Sequence, residues 1–363
     1  MIARVIASIA AASVLLCTGA RWALADELSC GTGSSCRAVA LHPSPVAAPA
    51  GAHVVGRIDT ALTDHGRTIM VSAWYPAAES GEPAPYVPAT GPAAQAQIAA
   101  RAAEWMHAPA AAAAMIGAQA AATEGAPVDG DRLPIVVVSP GMGTPRFILS
   151  GLAAELASRG YAVVAIDHTS ESPAVELPDG RIILGTAPNP DTEYMRDQLA
   201  ARTADMRLVL DRLVGLPIVG PHIDLDQVAT LGHSYGGTAA VQLLGSDPRV
   251  RAAVSIDGPA GWAGVADAPT TDLPALLFDL TGEWTASWGP FRDERFDHVA
   301  MPGGGHYSAS DLCALGGGAD LCGTVPPDRA AAISRSAIVA WLDRLFRGGH
   351  EPRYSAPELH WQP

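Results

Sequence analysis

Residues 232–237 read Gly-His-Ser-Tyr-Gly-Gly and place Ser234 between glycines. The apolar run 227–231 precedes this motif, and the helix-like run 238–244 follows it. A serine on so tight a strand-to-helix turn has a strained backbone, and the neighbouring glycines leave room for the helix to cross close to the strand. The motif alone is weak evidence in a chain with 37 glycines, but its setting between a strand and a helix predicts a nucleophile elbow.

Strand-like and helix-like segments alternate from residue 133 onward, and two further strand-like runs precede them. This alternation is typical of an α/β fold with a parallel sheet, here of about eight strands and flanked by helices. The predicted strands are residues 53–58, 68–75, 134–139, 160–166, 227–231, 250–256, 274–280 and 295–301, and the predicted helices are residues 146–159, 191–214, 238–244 and 328–346.

An Ala-rich stretch, residues 93–122, interrupts this pattern and predicts a helical insertion in a domain that spans residues 53–348. Its few large apolar side chains include Trp105 and Met106. These residues would suit either an interfacial lid, which would bring the protein into transient contact with a membrane surface, or an ordinary packed helix. Residues 349–363 form a C-terminal tail.

The N-terminus has the form of an export signal. Arg4 precedes an apolar run that ends at Leu16, and Ala23-Leu24-Ala25 has the small-x-small form of a cleavage site. The run is too short for a membrane span, so we expect residues 1–25 to be a signal peptide, cleaved after Ala25, and the mature chain to be secreted or extracytoplasmic. Cys17 offers lipoprotein or membrane anchoring as an alternative. This alternative is weaker, because the residue before a lipidated cysteine should be small and here it is Leu16.

The mature chain is strongly acidic. Cleavage would remove Arg4 and Arg21 from the 23 basic residues, all arginine, and leave 21 against 37 acidic residues, a net charge of −16. Such a charge argues against a nucleic-acid partner, since phosphates would be repelled. A content of 48% hydrophobic and 17% charged residues fits a compact globular protein.

Four cysteines remain after cleavage. An even number of cysteines in an exported chain predicts disulfides. Cys30 and Cys36 lie in a Pro- and Ala-rich N-terminal segment, residues 26–52, and Cys313 and Cys322 lie near the C-terminus. Four cysteines allow three pairings, and closeness along the chain favours the pairs 30–36 and 313–322. Neither pair has the Cys-x-x-Cys spacing of zinc ligands, so a metal site is the weaker interpretation.

A serine nucleophile needs a histidine to take its proton and a carboxylate to orient that histidine. In chains with this elbow the order is serine, acid, histidine, so both partners should lie after Ser234. Of the later histidines, His298 lies inside a predicted strand, and His350 and His360 follow the last predicted helix. His306 lies in a glycine-rich loop just beyond a strand and is the candidate base.

The acid has more than one candidate. Asp257 ends the predicted strand 250–256, which would place it at the carboxyl end of the sheet, where ligand sites of such folds lie. Glu283 occupies the loop after the next strand, the other usual location. Asp279 falls within that strand and Asp311 could cap a turn near the histidine loop, so Asp257 is the preferred acid and Glu283 the alternative.

Two backbone amides must stabilise the oxyanion of the tetrahedral intermediate. One donor should be Tyr235, the residue after the nucleophile. The other should come from the loop after the strand 134–139, which reads Pro-Gly-Met-Gly over residues 140–143 and makes Met142 the candidate.

Several further motifs carry a family resemblance. They are Val-Gly-Arg at 55–57, Trp-Tyr-Pro at 74–76, Ser-Pro-Gly-Met-Gly at 139–143, Leu-Ala-Ser-Arg-Gly-Tyr at 156–161, Ala-Ile-Asp-His-Thr at 165–169, Pro-Asp-Gly-Arg at 178–181 and the elbow itself. In these motifs the chain resembles the platelet-activating-factor acetylhydrolase-like branch of esterases and lipases in the α/β-hydrolase superfamily. The resemblance covers most of residues 53–346. Many relatives carry His-Gly where this chain has Pro140-Gly141, which affects the shape expected for the acyl pocket.

The resemblance implies an α/β-hydrolase fold with a triad of Ser234, Asp257 and His306, because in that family the acid follows the strand after the elbow helix. It implies a secreted serine hydrolase that cleaves carboxylic esters of short-chain or phospholipid type through an acyl-enzyme, without a metal or organic cofactor. Its partner would be a small-molecule ester or a lipid. The alternatives are a cutinase-like polyester hydrolase, with its carboxylate near Glu283, and a non-catalytic envelope binding protein on the same fold.

Overall fold

The computed structural model describes residues 46–291, 295–348 and 353–362. The predicted signal peptide, residues 1–25, and the predicted pair Cys30 and Cys36 lie outside the described residues.

The strands are β1 Val54–Asp64, β2 Arg67–Ala77, β3 Pro83–Pro85, β4 Gln119–Glu124, β5 Leu133–Ser139, β6 Ala162–Asp167, β7 Ala174–Glu176, β8 Ile182–Leu184, β9 Ile223–His233, β10 Val250–Ile256, β11 Ala275–Asp279, β12 Phe296–Ala300 and β13 His360–Trp361.

Seven α-helices accompany these strands in the described part of the chain. They are α1 Pro92–Trp105, α2 Ala111–Gly117, α3 Ser150–Ser158, α4 Thr192–Arg212, α5 Tyr235–Leu244, α6 Ala319–Cys322 and α7 Pro327–Phe346. Short 3₁₀ turns cover Arg146–Leu149, Leu213–Gly215, Gly220–His222 and Thr285–Trp288.

The main sheet is mixed, with a parallel centre. Its strand order is β13-β12-β11-β10-β9-β5-β6-β2-β1-β4-β3, and the six strands from β12 to β6 run parallel to one another. The antiparallel hairpin of β1 and β2 is joined to this centre by antiparallel pairing of β2 with β6. The predicted α/β class with a mostly parallel sheet is therefore confirmed.

The predicted number of strands is too low, because the sheet has 11 strands rather than about eight. The additional strands are β3, β4 and β13, which all lie toward the edges of the sheet. Proline and alanine dominate β3 and β4, and both residues are depleted in strands, so no strand pattern marks these segments. β4 forms because it pairs with β1, at Gly56 with Thr123, and β13 forms because Trp361 pairs with Val299.

The Ala-rich insertion is helical over most of its predicted length. Helices α1 and α2 occupy it as far as Gly117, but from Gln119 the chain continues as strand β4 instead of helix. The helices are anchored by a few buried side chains, among them Ile98 and Met115.

Helices cover both faces of the sheet. Side chains of α1, α3 and α7 pack with one face, and those of α4 and α5 with the other. Strand β5 contributes side chains to both faces. Val136 and Val138 pack in the core on the first face, and Ile135 and Val137 pack in the core on the second. Such strands are buried on both faces, which is why they read as continuous apolar runs.

One predicted disulfide is present: Cys313 and Cys322 are bonded, with their Cα atoms 5.6 Å apart. Among the described residues, no helix combines the length and the apolar character needed to span a membrane.

Candidate active site

Ser234 lies on the tight turn between β9 and α5. Its backbone has φ 53° and ψ −124°, a conformation that costs a serine on the order of 1–3 kcal/mol. The turn requires its glycines: a Cβ built on Gly232 would lie 2.0 Å from the carbonyl oxygen of Gly236, and one on Gly236 would lie 2.0 Å from that of Ser139. Close contact between strand and helix therefore forces the serine into its strained position.

Asp257 and His306 form a hydrogen-bonded pair. The Oδ2 atom of Asp257 lies 2.6 Å from Nδ1 of His306, and its Oδ1 atom accepts hydrogen bonds of 2.9 Å from the amides of Leu280 and Thr281. Since a carboxylate can only accept, Nδ1 of His306 donates its N–H to Asp257, and Nε2 is the ring nitrogen that could act as a base.

The environment of Asp257 favours its ionised form. The carboxylate is fully buried, and burial alone would raise its pKa. The hydrogen bond and charge of His306 and the two backbone amides outweigh burial and hold the pKa of Asp257 below its usual value. An ionised carboxylate can orient His306 and stabilise its imidazolium form.

The turn at Asp257 and Gly258 also packs directly against the turn at Ser234. Asp257 has φ 47°, and a Cβ built on Gly258 would lie 2.1 Å from the carbonyl oxygen of Ser234. The Ser234 amide donates a 2.8 Å hydrogen bond to the carbonyl of Ile256, the residue before the acid. Adjacent strand ends thus bring the predicted nucleophile and acid together.

The predicted oxyanion loop, residues 140–143, lies against Ser234, the predicted nucleophile. A Cβ built on Gly141 would be 3.4 Å from Cβ of Ser234. Neither the Met142 amide nor the Tyr235 amide donates a hydrogen bond to an acceptor within residues 46–291, 295–348 and 353–362. Both N–H groups are therefore available to an external oxygen atom.

The other carboxylate candidates do not pair with His306. Glu283 is exposed in the loop after β11. Asp279 accepts hydrogen bonds from the Gly282 amide and the Thr285 hydroxyl, and Asp311 is buried beneath helix α3, where it accepts from Ser150 and Gly151.

The other histidine candidates lie apart from this pair. His298 lies 3.2 Å from Asp279, and His360 is exposed on β13. His350 lies outside the described residues.

His233 is a site residue that the sequence analysis did not assign. Its Nε2 atom lies 2.7 Å from the backbone carbonyl of His306, and the two imidazole rings are 4.5 Å apart. Burial, followed by the charge of His306, lowers the pKa of His233 to about 3, so this side chain is neutral at physiological pH. Its place inside the elbow motif is a usable signal, but the order serine, acid, histidine directs attention to histidines after Ser234.

The two proposed lid residues have different surroundings. Met106 is only 2% exposed and belongs to the core, whereas Trp105 is half-buried. A Cβ built on Gly143 would lie 3.2 Å from the Trp105 ring, so this indole packs against the oxyanion loop. Arg101 lies over its face, 4.8 Å from the ring centroid.

Comparison with known proteins finds relatives among acetylhydrolases and esterases. Residues 41–177 match the family described as platelet-activating factor acetylhydrolase, isoform II. The platelet-activating factor acetylhydrolase of Cavia porcellus is 25% identical over 259 residues, which cover 60% of this chain and 58% of that protein. A probable 1-alkyl-2-acetylglycerophosphocholine esterase of Arthroderma benhamiae is 33% identical over 36% of this chain and 32% of that protein. The chain thus spans less than two thirds of the length of either relative.

A solved structure extends the similarity to nearly the whole chain. The ferulic acid esterase from Streptomyces cinnamoneus superposes with a TM-score of 0.71 at 31% identity and covers 88% of this chain and 99% of its own. With the fold and the arrangement of residues around Ser234, these similarities show that the chain belongs to the esterases of the α/β-hydrolase superfamily and that part of it is similar to platelet-activating factor acetylhydrolases.

Proposed function

We propose that this protein hydrolyses carboxylic esters with Ser234 as nucleophile, His306 as general base and Asp257 as the acid that orients the histidine. The observation that carries the proposal is the 2.6 Å hydrogen bond between the buried Asp257 and His306 beside the strained serine. Strain of this kind persists only where the surrounding structure enforces it, and it is common at active sites. Relatives that are named as esterases support the same reaction class.

The proposed reaction has two steps. Nε2 of His306 takes the hydroxyl proton while Oγ of Ser234 attacks the acyl carbon, and the amides of Met142 and Tyr235 donate to the oxyanion. The intermediate collapses, the C–O bond to the alcohol breaks, and the histidine returns the proton to the departing alcohol. Water, deprotonated by the same histidine, then attacks the acyl-enzyme, the acyl–Oγ bond breaks, and the histidine returns the proton to Ser234 as the carboxylic acid leaves.

Substitution of the triad tests the proposal. We expect Ser234→Ala to lower kcat by several orders of magnitude, on the order of a millionfold as in a comparable serine hydrolase, because the covalent step is lost. Asp257→Asn should also lower kcat strongly, since the amide cannot stabilise the imidazolium. The measurement is kcat on p-nitrophenyl acetate, with labelling of the wild-type chain by a fluorophosphonate probe.

Glu283→Gln is the matched control, because this exposed carboxylate lies one strand further along the sheet. It should retain wild-type activity. Loss of activity in Glu283→Gln with retention in Asp257→Asn would instead favour the cutinase-like geometry. A wild-type chain that neither turns over esters nor reacts with the probe would favour the non-catalytic binding protein.

For the substrate we propose esters of short acyl chains, including phospholipid-type esters. The similarity to platelet-activating factor acetylhydrolase supports this class, and the Trp105 ring against the oxyanion loop supports a short acyl pocket. A series of p-nitrophenyl and phospholipid esters tests the idea. The highest kcat/KM should fall at the shortest acyl chains, and a maximum at long chains would refute it.

We also propose that the chain is exported, with cleavage after Ala25. The Cys313–Cys322 disulfide supports an oxidising compartment, because such bonds are rare in the cytosol. N-terminal sequencing of protein recovered from the culture medium or periplasm should begin at Asp26. Recovery of the chain only from the cytosol, with residues 1–25 intact, would contradict export.

A further inference from the structure

Arg202 is buried beneath the loop that carries the proposed oxyanion donor. It is 1% exposed and belongs to helix α4, where Met195, Leu199 and Met206 form the buried stripe around it. A charge in such a position is costly unless it is paired and its N–H groups are all satisfied. The contacts that satisfy Arg202 therefore indicate what it does.

All five N–H groups of this guanidinium have acceptors. Nε and one N–H of Nη2 donate to the carboxylate of Glu171, which balances the charge. The remaining three go to consecutive residues at the end of β5: Nη1 donates to Ser139 Oγ at 3.0 Å and to the Pro140 carbonyl at 2.5 Å, and Nη2 donates to the Gly141 carbonyl at 3.0 Å. Pairing with Glu171 alone would not require these three bonds.

The Gly141 carbonyl and the Met142 N–H belong to the same peptide group. In a planar trans peptide these two groups point in opposite directions, so an anchor on the carbonyl also sets the direction of the N–H. Arg202 holds the carbonyl on the core side, and the same loop lies against Ser234. The amide and hydroxyl of Thr144 bind the same carbonyl at 3.2 and 2.9 Å and reinforce the anchor.

The charge of Arg202 adds a second effect. A cation bound to a carbonyl oxygen draws electron density from the peptide and makes its N–H a stronger donor, and hydrogen bonds in series polarise one another by about 10–30%. The strengthened donor is the Met142 amide. Its benefit is greatest when the acceptor carries a full negative charge, which happens only in the tetrahedral intermediate.

We infer that Arg202 is a positioning residue of the oxyanion hole, which orients and polarises the Gly141–Met142 peptide through the Gly141 carbonyl. The inference rests on the proposed esterase function and deepens it. It assigns a role in transition-state stabilisation to a helix α4 residue that does not touch the substrate.

Arg202→Lys tests the inference. Lysine keeps the positive charge, but with three N–H donors it cannot reproduce the five bonds. We expect kcat on p-nitrophenyl acetate to fall about 10- to 100-fold, somewhat less than for deletion of a whole oxyanion donor, with KM changed by less than about threefold. The control is Arg57→Lys. Arg57 lies on the distant strand β1, is also buried, and donates to the backbone carbonyl of Pro85 and to the carboxylate of Asp59.

A second readout separates this role from general support of the fold. A short alkyl trifluoromethyl ketone forms a tetrahedral oxyanion adduct on the serine, whereas an ether analogue of the substrate does not. In Arg202→Lys the affinity for the ketone should weaken by the same factor as kcat/KM, and the affinity for the ether should stay within about threefold of wild type. Arg57→Lys should change neither affinity.

Each outcome bears on the inference. Wild-type kcat in folded Arg202→Lys, equal weakening of ketone and ether binding, or the same losses in Arg57→Lys would overturn it.

If Arg202→Lys does not fold, the double variant Arg202→Gln/Glu171→Gln, which buries no unpaired charge, should show the same selective loss. Failure of both variants to fold would also count against it, because Arg202 would then serve folding. An inactive wild-type chain would refute the proposed function itself, which distinguishes the two failures.

Discussion

Two residues of the proposed triad have positive φ values, which are uncommon in residues other than glycine. Ser234 and Asp257 have φ values of 53° and 47°. The sequence marks the first through the glycines beside it, since the turn between β9 and α5 excludes side chains at Gly232 and Gly236. It marks the second only through its place after an apolar strand and before Gly258. Close packing of the two turns, rather than local preference, holds both conformations.

His233 should make the stability of the fold depend on pH. Its pKa is lowered from 6.5 to about 3 in the folded protein. Between these values the unfolded chain binds a proton at this residue and the native chain does not, so the free energy of unfolding falls as pH falls, by about 1.4 kcal/mol per pH unit. Above about pH 6.5 the residue is neutral in both states and contributes no slope.

The variant His233→Gln lacks the titrating group and should show a smaller loss of stability between about pH 6 and about pH 4. Urea unfolding at several pH values measures the difference in slope. His360→Gln is the control, since this side chain is exposed on β13 and should leave the slope unchanged. Equal slopes for wild type and His233→Gln would show that His233 is not held neutral by burial.

The strands and helices were predictable where burial imposes a pattern of apolar residues on the sequence. The central parallel strands are buried on both faces, so β-branched residues fill them and their ends are clear, as in β5 and β10. Because the carboxyl ends of parallel strands meet at one edge of the sheet, the loops after β5, β9, β10 and β12 could be expected to converge. The outer strands β3, β4 and β13 have no such apolar pattern, because they form by pairing with a neighbouring strand.

The disulfide-bonded segment 313–322 supports the loop that carries His306. The Tyr307 amide donates to the Leu321 carbonyl at 2.9 Å, and the Ser308 hydroxyl donates to the Cys322 carbonyl at 2.7 Å. Gly304 also forms a bridge with Gly323. The disulfide therefore restrains the backbone to which the histidine loop is bound.

Replacement of both cysteines by serine should lower the free energy of unfolding by about 2–4 kcal/mol and reduce kcat, because the histidine loop loses its support. Urea unfolding and ester hydrolysis, each with and without dithiothreitol, measure both effects. Reductant should reproduce the loss in wild type and have a much smaller effect on the double variant Cys313→Ser/Cys322→Ser, in which only the predicted pair Cys30 and Cys36 remains to be reduced. Full activity and stability in that variant would contradict the supporting role.

The whole molecule brings distant segments to the mouth of the site. Trp105, from the Ala-rich insertion, lies against Gly143 of the oxyanion loop, and its ring would be 2.8 Å from a Cβ built on Gly185. Hydropathy shows that the insertion has few large side chains. It does not show that one of these side chains, Trp105, contacts the loop that follows strand β5.

Trp105→Ala should change acyl-chain selectivity, because loss of the indole enlarges the space beside Gly143. We expect the ratio of kcat/KM for p-nitrophenyl octanoate to that for the acetate to rise about tenfold, the range typical of small changes in an apolar pocket. Ile116→Ala is the control, since this residue of α2 is 46% exposed. A ratio within about twofold of wild type would show that Trp105 does not limit the acyl chain.

The amino-acid sequence alone determined the fold class, the elbow at Ser234 and the order in which an acid and a histidine should follow it. These features depend on residue types and spacings within one or two elements. The tertiary structure alone decided that Asp257, not Glu283, contacts His306, and that Arg202 of helix α4 binds the loop before Met142. Those contacts join residues 49 and 61 positions apart. Only the packing of strand ends and helices around one site brings them within hydrogen-bonding distance.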